Sequence, residues 1–330
     1  MRKINFILLA MLIFTAFGCE NPNVNGNTPT DQPINFSNGI PDDWNVSGCE
    51  VDNTEGRGDN NSVRFSNNGS IVCSITGSES VDMVEFFIKG EGNISFYIDN
   101  KLINSFAGAE SWFRCRAFIS AGEHEIKWVA SVAQNAPAAE RGDTVSGGAS
   151  GFFMDDVLFS VGNAPGKRLS DGSIVAFVAQ NGGGLIVTTE LCSQFYAWDN
   201  GIEDDINGAK ATGYGAGKAN TAAIIAKCGG GNYAANVAAG VTTGGFVGEW
   251  FLPSIDELEC IRQNYHLIEG FVGYRYWSST DTGYRISTPP GPTIQGWEAA
   301  QLCIGDLMCG NSPAISMRTN EYKILPTRYF

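Results

Sequence analysis

Few residues in this 330-residue chain are placed for acid–base, nucleophilic or metal chemistry. There are two histidines, His124 and His266, one in each half. Neither belongs to an H-E-x-x-H motif, which excludes a zinc protease of that class, and neither stands by a G-x-S-x-G nucleophile turn. Both read as surface polar residues. Residues 213–218, GYGAGK, look superficially like a phosphate-binding loop. However, Thr212 stands where its first glycine belongs, and Ala219 where a Ser or Thr must reach magnesium. Four acids, Asp199, Glu203, Asp204 and Asp205, crowd the segment YAWDNGIEDDING. They lack the glycine and distal glutamate of an EF-hand, so a solvated acidic loop is expected, with a calcium loop as the alternative. Asp256 and Glu257 are neighbours in the first turn of a predicted helix, where carboxylates suit the helix dipole. Whether any two carboxylates could cleave a glycoside depends on their separation in space, which spacing along the chain does not give.

The elements that would position such residues are clearest from Trp250 to Thr280, WFLPSIDELECIRQNYHLIEGFVGYRYWSST. The segment reads as strand, capped helix, turn and strand. Ser254 and Glu257 have the spacing of a capping box. Leu258, Ile261, Tyr265 and Ile268 form an apolar stripe at helical period, and Gly270 stands where a left-handed C-terminal cap is needed. Upstream, Ile174–Gln180 and Leu185–Thr189 flank Asn181–Gly184 as a hairpin. Asn220 is placed to cap a short helix over Thr221–Lys227, and another helical turn is expected from Tyr233 to Ala239. Trp250 and Trp277 are assigned to the core.

WFLPSIDEL followed by YWSST resembles the DUF1566 family, also called the Lcl C-terminal domain. DGSIVAFVAQNGGGLIVTTEL resembles its opening hairpin, GAGKANTAAIIAKC its first helix and ILPTRYF its closing strand, so the resemblance covers about Gly166 to Phe330. The family is similar to C-type-lectin-like and formylglycine-generating-enzyme-like folds, which present ligands on loops. The resemblance therefore implies a binding domain at a bacterial surface. In some lectin-like relatives the region after WSST faces the ligand, which implies contacts at Tyr284, Arg285, Trp297 and Glu298. Aromatic and arginine side chains offer large contact area and fixed hydrogen-bond geometry. Core packing of Trp297 is the competing reading. The formylglycine-generating relatives use a cysteine pair. Cys303 and Cys309 lie in a similar late region, without a recognisable catalytic pattern.

The start of the chain reads as an export signal. Arg2 and Lys3 precede an apolar run, Ile4 to Phe17, too short to span a membrane, and small residues lead to Cys19. Cys19 directly after Ala16-Phe17-Gly18 resembles a bacterial lipobox, which implies lipidation there and display at the outer membrane or cell surface. The alternative is an ordinary cleaved signal with an incidental cysteine. The chain carries 21 basic and 35 acidic residues, net −14; cleavage before Cys19 would remove Arg2 and Lys3 and leave −16. Such a surface repels nucleic acid and anionic headgroups and argues against sulfated glycans, so the lipid is what would hold the protein to a membrane. An exported chain meets an oxidising compartment, and disulfides are expected among the eight remaining cysteines. The connectivity is left open.

After a tether at residues 19–33, residues 34–162 read as all-β. Apolar-alternating runs recur between Gly, Asn and Asp turns, with Asp99-Asn100 as a hairpin turn pair. About seven strands suggest a β-sandwich. IPDDWNVSG, AGEHEIKWVAS and GFFMDDVLFS resemble bacterial jelly-roll modules of the carbohydrate-binding, MAM-like or cleaved-adhesin kind. That resemblance implies a structural calcium on Asp155 and Asp156. The first strand offers Asn35, Ser37 and Asn38 but no carboxylate, so bonding of an aspartate to backbone is the alternative.

The expected architecture is thus a β-sandwich (jelly roll) over residues 34–162, a linker at 162–166, and an α+β C-type-lectin-like domain over 166–330. The expected function is non-catalytic binding of a glycan or of a host or envelope protein, in an oligomeric state the sequence leaves open. The rivals are a glycan-active or cysteine-dependent enzyme and a structural subunit of an envelope complex.

Overall fold

In the first half, alternation of apolar and polar residues builds eight antiparallel strands. The structure, a computed structural model, describes residues 32–132, 151–286, 296–305 and 313–330. The strands are β1 (Asn45–Asp52), β2 (Ser62–Gly77), β3 (Met83–Gly90), β4 (Gly92–Ile98), β5 (Lys101–Ala107), β6 (Phe113–Phe118), β7 (Gly122–Val132) and β8 (Phe152–Ser160), with neighbours in the order β5-β4-β7-β2-β8-β3-β6 and β1 beside β2. The sheet folds back on itself. Phe86 on β3 lies 5.8 Å from Phe96 on β4 and 5.6 Å from Phe106 on β5, although those strands stand far apart in the hydrogen-bonded order. The result is the expected β-sandwich, with Trp128 at its centre against Trp44, Phe86 and Phe96.

The fold-back is made by β1 and β2. Val63–Phe65 pair with β8 while Ser70–Gly77 pair with β7, so β2 crosses from one layer to the other. Glycines allow the bend: Gly48 has φ +63°, and a Cβ on Gly69 would stand 2.4 Å from the Gly48 carbonyl oxygen. The sequence suggests two runs, Ser62–Phe65 and Ser70–Ile75, where the fold has one bent strand. β1 has no inward alternation and escapes sequence reading altogether. The Asp99-Asn100 pair makes its turn, with φ +50° and +62°.

The second half is mixed α+β. β9 (Ile174–Val178) and β10 (Gly184–Val187) form the expected hairpin. β11 (Tyr196–Ala197), helices α1 (Gly217–Cys228), α2 (Ala234–Ala239) and α3 (Ile255–Arg262), and the strands β12 (Tyr274–Ile286), β13 (Gly296–Ile304), β14 (Pro313–Met317), β15 (Glu321–Tyr322) and β16 (Thr327–Tyr329) follow. β16 joins β10, β12-β13-β14 make a separate sheet, and β15 pairs with β11. Phe251 meets Thr327 in a single bridge only, so the strand expected there is reduced to a contact.

Two expected helix ends move. Asn220 is not a cap: α1 starts earlier, at Gly217, and Asn220 lies buried within it, its amide donating to the Ala211 carbonyl at 2.7 Å. Gly270 does have φ +78°, but α3 has already ended at Arg262, so the glycine closes a later turn. Leu258, Ile261 and Ile268 are buried as the stripe requires, and Trp250 and Trp277 are 1% and 0% exposed.

The apolar clusters divide along the chain. One draws only on Ile34 to Phe159, and three others only on residues from Leu169 onward. The segment between is pinned, with Lys167 donating to the Gly162 carbonyl and pairing with Asp82, both at 2.7 Å.

Candidate ligand groove and the other candidate sites

A concavity of about 820 Å³ lies between the two halves. The sandwich supplies the β5–β6 end, including Phe106, Phe113 and Arg114; the α+β half supplies β9 and the end of α3 through Tyr265. Two contacts span the cleft. Gln180 accepts from the Arg114 N–H and donates to the Arg114 carbonyl, each at 3.0 Å, as a reciprocal clamp. Asn104 donates to Asn264, which in turn donates to the Ala176 carbonyl. His266, the second of the two histidines, bonds the Ile103 carbonyl at 2.8 Å and so belongs to this junction.

The charge of the groove is unlike that of the chain. Its walls include Arg114, Arg116 and Arg262 and no Asp, Glu or Lys, on a protein of net −14. Arg262 is held by both oxygens of Glu259, and Arg116 bonds Glu85 at 2.6 Å. Phe113, 38% exposed, puts an aromatic ring at the rim. Cys115 and Cys260 also line the groove, but burial pushes both thiols up, Cys260 to about 11 with help from Glu257, so neither is a thiolate nucleophile at neutral pH. Sequence reasoning missed this site. Its walls come from segments far apart in the chain, and the two that carry motifs, the β9 hairpin and the capped helix, read from sequence as scaffold only.

The sequence-derived contacts are distributed differently. Tyr284 and Arg285 lie on β12, and their side chains fall outside the described residues. Trp297 is half-buried, with the Arg318 guanidinium 5.4 Å from its ring, and Glu298 is only 7% exposed. The structure thus makes Trp297 a wall of a buried arginine site and leaves Glu298 little surface. The expectation of a solvated acidic loop holds for Glu203 and Asp204, which are exposed, and is corrected at Asp199. Asp199 is 4% exposed and pairs with Arg318, while Asp204 and Asp205 pair with Lys227 and Lys210.

Asp155 and Asp156 are both engaged by protein groups. Asp155 accepts the backbone N–H groups of Arg57 and Asp156, and the Asp156 carboxylate pairs with the Arg57 guanidinium at 2.6 Å. Among the described residues no group of three acidic, histidine or cysteine side chains could hold a metal. Burial raises Asp155 to about 6, its two backbone bonds opposing and the nearby acids adding. A carboxyl raised in the folded state stabilises fully below its ordinary value of 3.8, and that contribution is lost as pH rises through about 6. Urea unfolding followed between pH 4 and 7 should show this slope, and Asp155→Asn should flatten it.

The disulfide expectation fails at most positions. Cys49, Cys73, Cys115, Cys192, Cys228 and Cys260 are free thiols. Cys303 is disulfide-bonded. Cys19 and most of the tether lie outside the described residues.

No protein-family model matches the chain, and no curated protein matches it. Among solved structures, the K3 cleaved adhesin domain of Lys-gingipain from Porphyromonas gingivalis is similar at 12% identity and TM-score 0.30, over 39% of this chain and 98% of that one. A family 6 carbohydrate-binding module from Clostridium cellulolyticum in complex with xylose matches at 19% identity and TM-score 0.24, over 36% of this chain and 89% of that one. CsCBM6-3 from Clostridium stercorarium in complex with cellobiose matches at 15% identity and TM-score 0.27, over 42% and 98%. Similarity at that level carries no functional assignment to this chain.

Proposed function

We propose that this protein is a non-catalytic binding protein that takes a glycan in the groove between its two halves. One observation carries the reading: the groove is large enough for several sugar rings, is built by both halves, and is held open by the Gln180 clamp on Arg114. Aromatic walls with a few fixed polar groups are the usual make-up of small-ligand sites. The acids that might serve a hydrolase are otherwise engaged: Glu257 caps α3, and Asp199 and Asp281 hold Arg318. Along with this goes the reading of the α+β half as a DUF1566-like, lectin-like scaffold, and of Cys19 as a lipid anchor that displays both halves at the outer surface.

A glycan array followed by calorimetry on the full chain tests it. Phe113→Ala and Tyr265→Ala should each weaken the best glycan by about ten-fold, the loss of one well-packed contact. Cys19→Ser should move the chain out of the membrane fraction. An array without signal, together with envelope proteins that co-purify, would favour the structural-subunit reading.

A further inference from the structure

We propose, resting on the groove reading above, that the glycan carries a carboxylate and that Arg114 receives it: the ligand is a short uronate-bearing saccharide. Arg114 differs from the other two arginines of the groove. No described residue makes a hydrogen bond to its guanidinium. Its nearest carboxylate, Glu85, stands 3.8 Å away, beyond hydrogen-bond reach, and is already bonded by Arg116 at 2.6 Å. One acid therefore pairs with two cations, and the only hydrogen bond it accepts among the described residues comes from Arg116.

The position of Arg114 is also fixed. Both of its backbone polar groups are held by Gln180, and β6, which carries it, is paired with β3. A guanidinium presented from a rigid strand, with its planar fork of donors unfilled, matches a carboxylate in a bidentate pair. Such a pair is formed without first breaking another, because the Glu85 bond to Arg116 remains.

Charge elsewhere limits what the anion can be. The chain carries −14 overall, and exposed charges act over about 8 Å at physiological salt. A densely charged polymer reaching beyond the groove would meet acidic surface and be repelled. A saccharide with a single carboxylate places its charge next to Arg114 and its uncharged rings along Phe113 and Tyr265, where apolar faces contact aromatic ones. Gln263 is exposed on the groove wall, and its side chain, which bonds no described residue, is available to ring hydroxyls.

The test compares cellobiouronate with cellobiose, which differ at one terminal carboxylate, by calorimetry on the full chain at low salt. The expected result is that cellobiouronate binds about ten-fold more tightly, the scale of one charge-assisted hydrogen bond. Arg114→Gln should remove that preference, so that the two sugars bind alike, while Arg114→Lys should restore part of it. Higher salt should weaken the uronate alone. Equal binding of the two sugars to the wild-type chain, with both weakened by Phe113→Ala, overturns the carboxylate proposal and leaves the groove reading standing. Sugar binding that ignores Phe113→Ala and Tyr265→Ala, or no binding of either sugar, overturns both.

Discussion

Arg318→Ala should destabilise the α+β half by about 3–5 kcal/mol, the usual cost of stripping the partner from buried charges. Arg318 is 2% exposed and lies between Trp198 and Trp297, 4.6 and 5.4 Å from their rings. It pairs with Asp281 at 2.5 Å and Asp199 at 3.4 Å, and donates to the Asp204 carbonyl at 2.9 Å. Asp281 also receives the Ile206 N–H, so the same carboxylate ties the acidic loop to β12. Without the guanidinium, two carboxylates remain buried beside each other. Burial already raises Asp199 even with Arg318 present, and losing the cation must raise it further. The sign follows: protonation then favours the folded variant, so the deficit should be largest at pH 7 and shrink toward pH 4. Urea unfolding read by tryptophan fluorescence at both values measures it, since two of the reporting rings flank the lost side chain. An Arg318→Met chain as stable as wild type at pH 7 would show the charges to be dispensable.

How far the sequence could be read depends on whether a feature is local. The Ser254–Glu257 capping box and the Asp99-Asn100 turn need only three or four residues, and both are present. The inward residues of β3, β4 and β7 alternate because each strand has one face on a large core. β1 was not legible because it lies at the crossing between layers, with no buried face to impose a pattern. Asn220 was misplaced because propensity favours it as a cap, while the packing of Gly217 against Glu257 and Phe251 starts the helix a turn earlier. Asp199 looked like part of a solvated loop because its partner Arg318 is 119 positions away. The elements of two groove walls, β9 and α3, were legible, but the groove was not, since its walls meet only after both halves have folded.

Glu257→Ala should be nearly as costly as the loss of Arg318, for a different reason. Glu257 is fully buried and has no basic ion-pair partner among the described residues. Its carboxylate is solvated by the protein instead: it accepts the Ser254 N–H at 2.8 Å, the Gly215 N–H at 2.9 Å and the Tyr329 hydroxyl at 2.5 Å. Ser254 caps α3, and Gly215 lies two residues before α1, so the N-terminal ends of two helices converge on one negative group. Tyr329 lies on β16, so the same carboxylate joins the last strand to both helices. Bonds to a charged acceptor are worth about 1.5–3 kcal/mol each. Truncation strips three donors of their shared acceptor, the Ser254 N–H among them in a fully buried residue, so about 3–5 kcal/mol is expected by the same arithmetic. Glu257→Gln isolates the charge from the shape. An amide keeps one acceptor but turns an NH2 toward groups that are themselves donors, so it should recover less than half of the loss. Tyr329→Phe removes only the hydroxyl and should cost about 1–2 kcal/mol. If Glu257→Gln unfolds at the same urea concentration as wild type, the negative charge contributes nothing and the site is held by packing alone.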